Sequence, residues 1–144
     1  MYYTKTIFFS ILFLLMVFVT TYFSMRSFAD QPAASCLDCS YLKDTFFFSV
    51  FSLPVILPAL LIINRSRLNS RISALVISAI YLTIVFINSL YLFKERVSSW
   101  SSYHIQDELI ATLSQSYLFM MTGGVIVFIV FYKFYNLKGF KRAG

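Results

Sequence analysis

Charged residues are scarce in this chain: 12 Lys or Arg and 6 Asp or Glu make up 12% of its 144 residues, and 59% of the residues are hydrophobic. An ordinary soluble domain has about 25% charged residues. So few charges cannot cover a water-soluble domain of this size, because such a surface is largely polar. The composition therefore predicts that lipid surrounds most of the chain.

Glycine and proline are also rare, with four and three residues. This excludes a collagen-like sequence and a low-complexity linker, and the high hydrophobic content excludes a disordered chain. The sequence contains no nucleophile–base set and no phosphate-binding loop. It therefore favours a protein without catalytic chemistry.

Four uncharged apolar runs are present, covering residues 6–25, 45–64, 72–93 and 109–132. A bilayer core of about 30 Å takes about 20 residues as a helix, so each run can cross it. All 18 charged residues lie outside the runs. Because backbone groups in lipid must be bonded within each span, the pattern predicts an all-α membrane protein. We expect a single transmembrane domain, 1–144, that forms a four-helix bundle.

The charges are distributed unequally between the two sides of these spans. Eight basic residues and no acid lie in the N-terminal segment, the loop between the second and third runs, and the C-terminal tail. All six acidic residues lie in the loops 26–44 and 94–108. Since short basic loops stay in the cytoplasm, we expect both termini to be cytoplasmic in a bacterial inner membrane. The net charge of +6 then reflects topology and attraction to the lipid bilayer, and it predicts no nucleic-acid partner.

The first run has an alternative interpretation as a secretory signal, because Ser27-Phe28-Ala29 resembles a small-residue cleavage site. Its uncharged stretch is longer than a usual signal core, and Arg26 stands just before the site. We therefore expect an uncleaved membrane anchor.

Asp, Glu, Lys, Arg and His are absent from all four runs. Proton relays, ion pathways and voltage sensors place such residues inside the membrane. The sequence thus argues against ion-coupled transport. Two amide side chains, Asn88 and Gln115, lie within the third and fourth runs, and each is predicted to make an interhelical hydrogen bond.

Two further features predict helix-packing positions. Pro54 and Pro58 stand on one face of the second span, and each removes a backbone hydrogen bond and bends the helix. Gly123-Gly124, with Ser116 seven positions before Gly123, forms a small-residue stripe that permits close helix approach. We expect this stripe to pack on the third span within the bundle, although a partner helix could occupy it instead.

Cys36-Leu37-Asp38-Cys39, in the first acidic loop, is the one spacing with chemical content. Cysteines three positions apart can close a small disulfide, and an outward compartment favours the oxidised form. With neither a second cysteine pair nor histidines beside it, this pair predicts no zinc or other metal site. We expect a disulfide, either structural or redox-active.

The cysteine pair resembles that of the DsbB family, four-helix inner-membrane proteins that reoxidise a periplasmic thiol oxidant with quinone. In that family a basic residue follows the second cysteine by four positions, and here Lys43 follows Cys39 at that distance. The resemblance implies a redox pair, Cys36 and Cys39, with Lys43 near a quinone cofactor. The family has a second cysteine pair in its other outer loop, whereas this chain has two cysteines in total.

The architecture is also similar to that of immunity proteins that protect bacteria from pore-forming colicins by intercepting toxin helices in the membrane. Such a protein needs no catalytic group and no cofactor, only helix faces that another helix recognises. We therefore expect a non-enzymatic accessory, assembly or immunity-type protein whose partner is a membrane protein or a toxin helix. The alternative is a DsbB-like thiol–disulfide carrier.

Overall fold

The structure is a computed structural model and describes residues 2–66 and 68–136. Four of its segments are long and apolar enough to cross a membrane: Ile7–Ser24, Tyr41–Ile63, Ser70–Trp100 and Ile105–Tyr135. The chain is therefore a multi-pass membrane protein, as the apolar runs predict. Its helices are α1 (Tyr2–Ser24), α2 (Tyr41–Phe51), α3 (Leu53–Arg65), α4 (Ser70–Arg96) and α5 (Ile105–Asn136), with 3-10 turns at Arg26–Phe28 and Ser98–Trp100.

The helices of the third and fourth spans are longer than the uncharged runs. α4 continues beyond residue 93 to Arg96, and α5 begins at Ile105 rather than at 109. Lys94 and Glu108, which bounded the runs, lie inside these helices and form an ion pair at 3.3 Å. A helix can extend beyond the hydrocarbon core, because its charged side chains are solvated in the interfacial region of the membrane.

The second span consists of two helices that meet at Ser52. Ser52 N–H donates to Ser49 O at 3.1 Å, a three-residue step that tightens the backbone there. Pro54 falls in the first turn of α3, where a missing N–H leaves no helical bond unmade, whereas Pro58 lies inside α3. Both prolines are exposed on the membrane-facing side of the bundle.

α4 is central to the bundle and packs closely on α5 at the two adjacent glycines. A Cβ atom added to Gly123 would overlap Tyr81 Oη and lie 3.0 Å from Thr20 Oγ1. One added to Gly124 would lie 3.0 Å from Leu82 Cδ2. The glycine stripe therefore packs on α4 inside this chain, and Gly123 leaves the space that the Tyr81 hydroxyl occupies.

Hydroxyl groups join α1 to α4 inside the bundle. Thr20 Oγ1 and Tyr81 Oη are 2.5 Å apart, and Ser24 Oγ and Ser89 Oγ are 3.1 Å apart. These pairs satisfy polar atoms that would otherwise lie in hydrocarbon, where an unbonded polar group is costly. Three helices, α1, α4 and α5, thus meet around Tyr81.

Substitution of Gly123 by Ala should destabilise the bundle by about 1–3 kcal/mol, because the added methyl group overpacks the space beside Tyr81. Gly124→Ala is the matched control and should cost less, since the flexible end of Leu82 can move away. Tyr81→Phe in the Gly123→Ala background should restore part of the loss by removing the overlapping hydroxyl. Thermal unfolding in detergent micelles measures all four proteins, and equal losses for the two glycine variants would contradict this packing.

Candidate functional site

Two chain segments, residues 25–40 and 97–104, cover the same end of the bundle and are called the cap here. Ala34 N–H donates to Glu95 O at 2.8 Å. Trp100 Nε1–H donates to Pro32 O at 3.0 Å. These bonds tie residues 25–40, the first connection, to the end of α4 and to residues 97–104, the second connection. The two connections therefore form one layer.

The Arg96 side chain lies beneath this layer and is only 2% exposed. Its Nη1 donates to Ala29 O at 3.2 Å and to Gln31 O. Its Nη2 donates to Cys39 O at 3.2 Å and forms an ion pair with Asp44 Oδ2 at 2.5 Å. The Arg96 guanidinium therefore donates to three backbone carbonyls of the first connection and to one carboxylate of α2.

Tyr41 completes the surroundings of Arg96. Its ring centroid lies 5.3 Å from Arg96 Cζ, within the range of a cation–π contact. Its hydroxyl donates to Tyr22 O at 2.7 Å, which ties α2 to the end of α1. Sequence reasoning counted Arg96 only as one of the charges outside the membrane. The available signal was its spacing, because Asn88, Leu92 and Arg96 follow one another by four residues and share a helix face.

A disulfide joins Cys36 and Cys39, as expected from their spacing. The turn around it is closed by backbone bonds from Cys36 N–H to Ala33 O at 3.3 Å and from Cys39 N–H to Cys36 O at 3.2 Å. Both cysteines are half-buried. Ser40 follows immediately and caps α2 by accepting a bond from the backbone N–H of Lys43 at 3.3 Å. The disulfide thus sits directly before the N-terminus of α2.

A row of contacts, called the α2–α4 ladder here, joins α2 to α4. Its three pairs are one helical turn apart: Asp44 with Arg96 at 2.5 Å, the Phe48 and Tyr91 ring centroids at 5.9 Å, and Asn88 Nδ2 with Ser52 Oγ at 3.2 Å. The two rings are nearly parallel, at 15°. The ladder therefore runs from the cap into the span, ending at the α2–α3 junction.

Below the ion pair, the ladder forms the wall of a groove of about 340 Å³ that is called the α2–α4 groove here. Its lining is apolar apart from one amide, one serine hydroxyl and one phenol: Phe48, Phe51, Ser52, Val55, Ile84, Ile87, Asn88 and Tyr91. The junction between α2 and α3 lies beside it, because Ser52 belongs to both features. The groove lies within the membrane-spanning part of the chain.

The structure separates the helix-packing residues predicted from the sequence into three groups. Gly123, Gly124 and Ser116 are buried on the inner face of α5. Asn88 is in the groove and bonded to Ser52. Gln115, Pro54 and Pro58 are exposed on the outside of the bundle. Lys43, which belongs to the alternative redox prediction, is exposed beside the cap. Helical periodicity alone could not assign these faces, because both faces of each span are apolar.

Comparison with protein-family models, with curated proteins and with solved structures found no match to this chain.

Replacing Arg96 by Met should destabilise the protein by about 3–5 kcal/mol, because it leaves the Asp44 carboxylate and three carbonyls without their donor. Arg26→Met is the matched control, since Arg26 is an exposed arginine of the same cap. Thermal unfolding and limited proteolysis within residues 29–39 measure the effect. Equal stability of the two variants would show that Arg96 does not hold the cap.

Proposed function

We propose that this chain is a non-enzymatic bacterial inner-membrane protein that binds a transmembrane helix of a partner protein in the α2–α4 groove. In this proposal the termini are cytoplasmic and the cap faces outward, as the basic and acidic loops indicate. The partner belongs to a membrane complex, as for an accessory or assembly factor, or is the helix of a pore-forming toxin. The observation that carries the proposal is an apolar, membrane-embedded groove with an amide in its lining.

The groove is a better recognition surface than the glycine stripe. Gly123 and Gly124 already contact Tyr81 and Leu82 of the same chain, so no second helix can approach them without opening the bundle. The α2–α4 groove, in contrast, lies beside the proline-containing helix α3, whose Pro54 and Pro58 are exposed. Among the four candidate spans of the described residues, the second is the least buried within the bundle, at 28%.

The length and lining of the groove suit the side chains of a helix that packs across its opening. Its lining on α4 runs from Ile84 to Tyr91, a length of about 10 Å or two helical turns at 1.5 Å per residue. A partner helix would place side chains from successive turns between the two walls. Asn88, whose Nδ2 is bonded to Ser52, adds an amide to this lining, and an interhelical hydrogen bond to such a group contributes about 1 kcal/mol in a membrane. The aromatic side chains Phe48 and Phe51 supply broad packing surfaces.

Photo-crosslinking tests this surface with p-benzoylphenylalanine placed at either of two valines of equal exposure. Val55 lines the groove and is 56% exposed, whereas Val125 lies on the open face of α5 and is 55% exposed. We expect a membrane protein to be crosslinked at Val55 and not at Val125. Its spanning segment, made as a peptide, should then bind the purified chain in vesicles, and Val55→Trp should abolish binding while Val125→Trp leaves it unchanged.

Three outcomes would contradict this proposal. Crosslinking only to lipid at Val55 would make the groove a lipid site, and crosslinking to a second copy would make it a self-association face. Equal capture at the two valines would show that the groove confers no selectivity.

A second candidate function is thiol–disulfide exchange, and the half-buried disulfide in the cap favours it. A partner dithiol would pass two electrons to Cys36–Cys39 and become a disulfide, and a quinone would then accept two electrons and two protons from the cysteines. The position before the N-terminus of α2 supports this role, because the helix dipole stabilises a thiolate there.

A turnover assay separates the two functions. The oxidised protein in vesicles is mixed with an excess of a reduced dithiol peptide and a short-chain quinone, and peptide disulfide is counted per protein. A carrier produces many equivalents and loses this activity completely in Cys36→Ser/Cys39→Ser. A recognition protein produces at most one equivalent, because only its own disulfide is consumed.

A further inference from the structure

We infer that the Cys36–Cys39 disulfide is a latch that holds α2 against α4, and that its reduction by a dithiol loosens the α2–α4 ladder and widens the groove. The inference rests on the proposed function in one respect, since it makes the partner surface redox-sensitive. The movement itself can be measured without any partner.

The latch begins at the carbonyl of Cys39. Cys39 O accepts a bond from Arg96 Nη2 at 3.2 Å, and the same nitrogen forms the ion pair with Asp44 at 2.5 Å. The disulfide closes residues 36–39 into a compact turn and so positions this carbonyl. Ser40 then begins α2 directly after the turn. Arg96 Nη2 therefore bonds both the disulfide-closed turn, through Cys39 O, and the first turn of α2, through Asp44.

The disulfide is partly exposed, whereas Arg96 is buried. Cys36 and Cys39 are half-buried, and Leu37 between them is 67% exposed. One thiolate of a dithiol attacks a sulfur of the pair to give a mixed disulfide, and its second thiolate displaces that sulfur. Cys36 and Cys39 gain two electrons and two protons, and the dithiol becomes a disulfide.

Reduction removes the covalent closure of the turn that presents Cys39 O. Arg96 then depends on Asp44, Ala29 and Gln31, and a buried guanidinium with fewer acceptors is costly. The first turn of α2 can shift to adjust these bonds. The next ladder contact along α2 is the Phe48–Tyr91 ring pair, which forms the wall of the groove. A shift of α2 at Asp44 therefore also moves Phe48, which lies one helical turn further along α2 in the wall of the groove.

The chain contains a native reporter of the cap in Trp100, its single tryptophan, whose Nε1–H bonds to Pro32 O. The α2–α4 distance requires spin labels that do not use cysteine, attached to p-acetylphenylalanine. Leu42 on α2 and Thr83 on α4 are both exposed and report on the ladder. The pair Thr83 and Val125 reports on α4 and α5 and serves as the control.

Purified full-length protein in vesicles is measured before and after dithiothreitol, with reduction verified by titration of two thiols. We expect the Leu42–Thr83 distances to shift to longer values and Trp100 emission to change, while the Thr83–Val125 distances stay constant. Cys36→Ser/Cys39→Ser should resemble the reduced protein and show no response to dithiothreitol. Asp44→Asn, with the disulfide intact, should lengthen the Leu42–Thr83 distance before reduction.

An unchanged Leu42–Thr83 distance after complete reduction would overturn the latch, whether or not Trp100 emission changes. Reversal of the distance on reoxidation supports it further. The outcome is independent of the crosslinking test, because an immobile α2 with selective capture at Val55 contradicts only the latch. A mobile α2 without capture contradicts only the partner site.

Discussion

The buried guanidinium of Arg96 is the interaction on which the functional part of this structure depends. A charge that is 2% exposed needs hydrogen-bond acceptors, and Ala29, Gln31, Cys39 and Asp44 supply them to its two terminal nitrogens. Its Nε has no partner among the described residues. These bonds hold the first connection over the end of α4. The ion pair with Asp44 attaches the first turn of α2 to α4. Arg96 therefore contacts both the disulfide-closed turn, through Cys39 O, and the first pair of the α2–α4 ladder, through Asp44.

The interior of the bundle obeys the same constraint with neutral groups. Hydrocarbon supplies no hydrogen-bond partners, so a buried polar side chain of a span is stabilised when it finds one within the protein. Several do, whereas Thr21 Oγ1 and Thr112 Oγ1 have none among the described residues. Thr20 meets Tyr81, Ser24 meets Ser89, and Ser52 meets Asn88. Gly123 makes room for the first of these pairs because a side chain there would overlap Tyr81 Oη. Close packing and polar satisfaction are thus two aspects of one arrangement around α4.

Much of the fold could be predicted from the sequence, whereas most of the candidate site could not. The spans could be predicted from long uncharged runs, because a helix that crosses the bilayer needs about 20 consecutive residues of low polarity. The disulfide emerges because four residues are enough to define its geometry. The role of Arg96, in contrast, depends on carbonyls 57 to 67 positions away in the chain. Gln115 shows the converse, since an amide inside an apolar run was expected to bond another helix, yet its face points outward.

The sequence by itself determined that this is a helical, multi-pass membrane protein with a closed cysteine pair, because these properties depend on composition and on short spacings. Only the tertiary structure decided which apolar faces meet. In the folded bundle the glycine stripe is buried against Tyr81 and Leu82, and the Pro54 side of the second span is exposed. The α2–α4 groove forms only in this arrangement. The physical reason is that lipid and protein interior are equally apolar, so hydrophobicity does not distinguish them. Steric fit and the pairing of a few polar atoms make that choice.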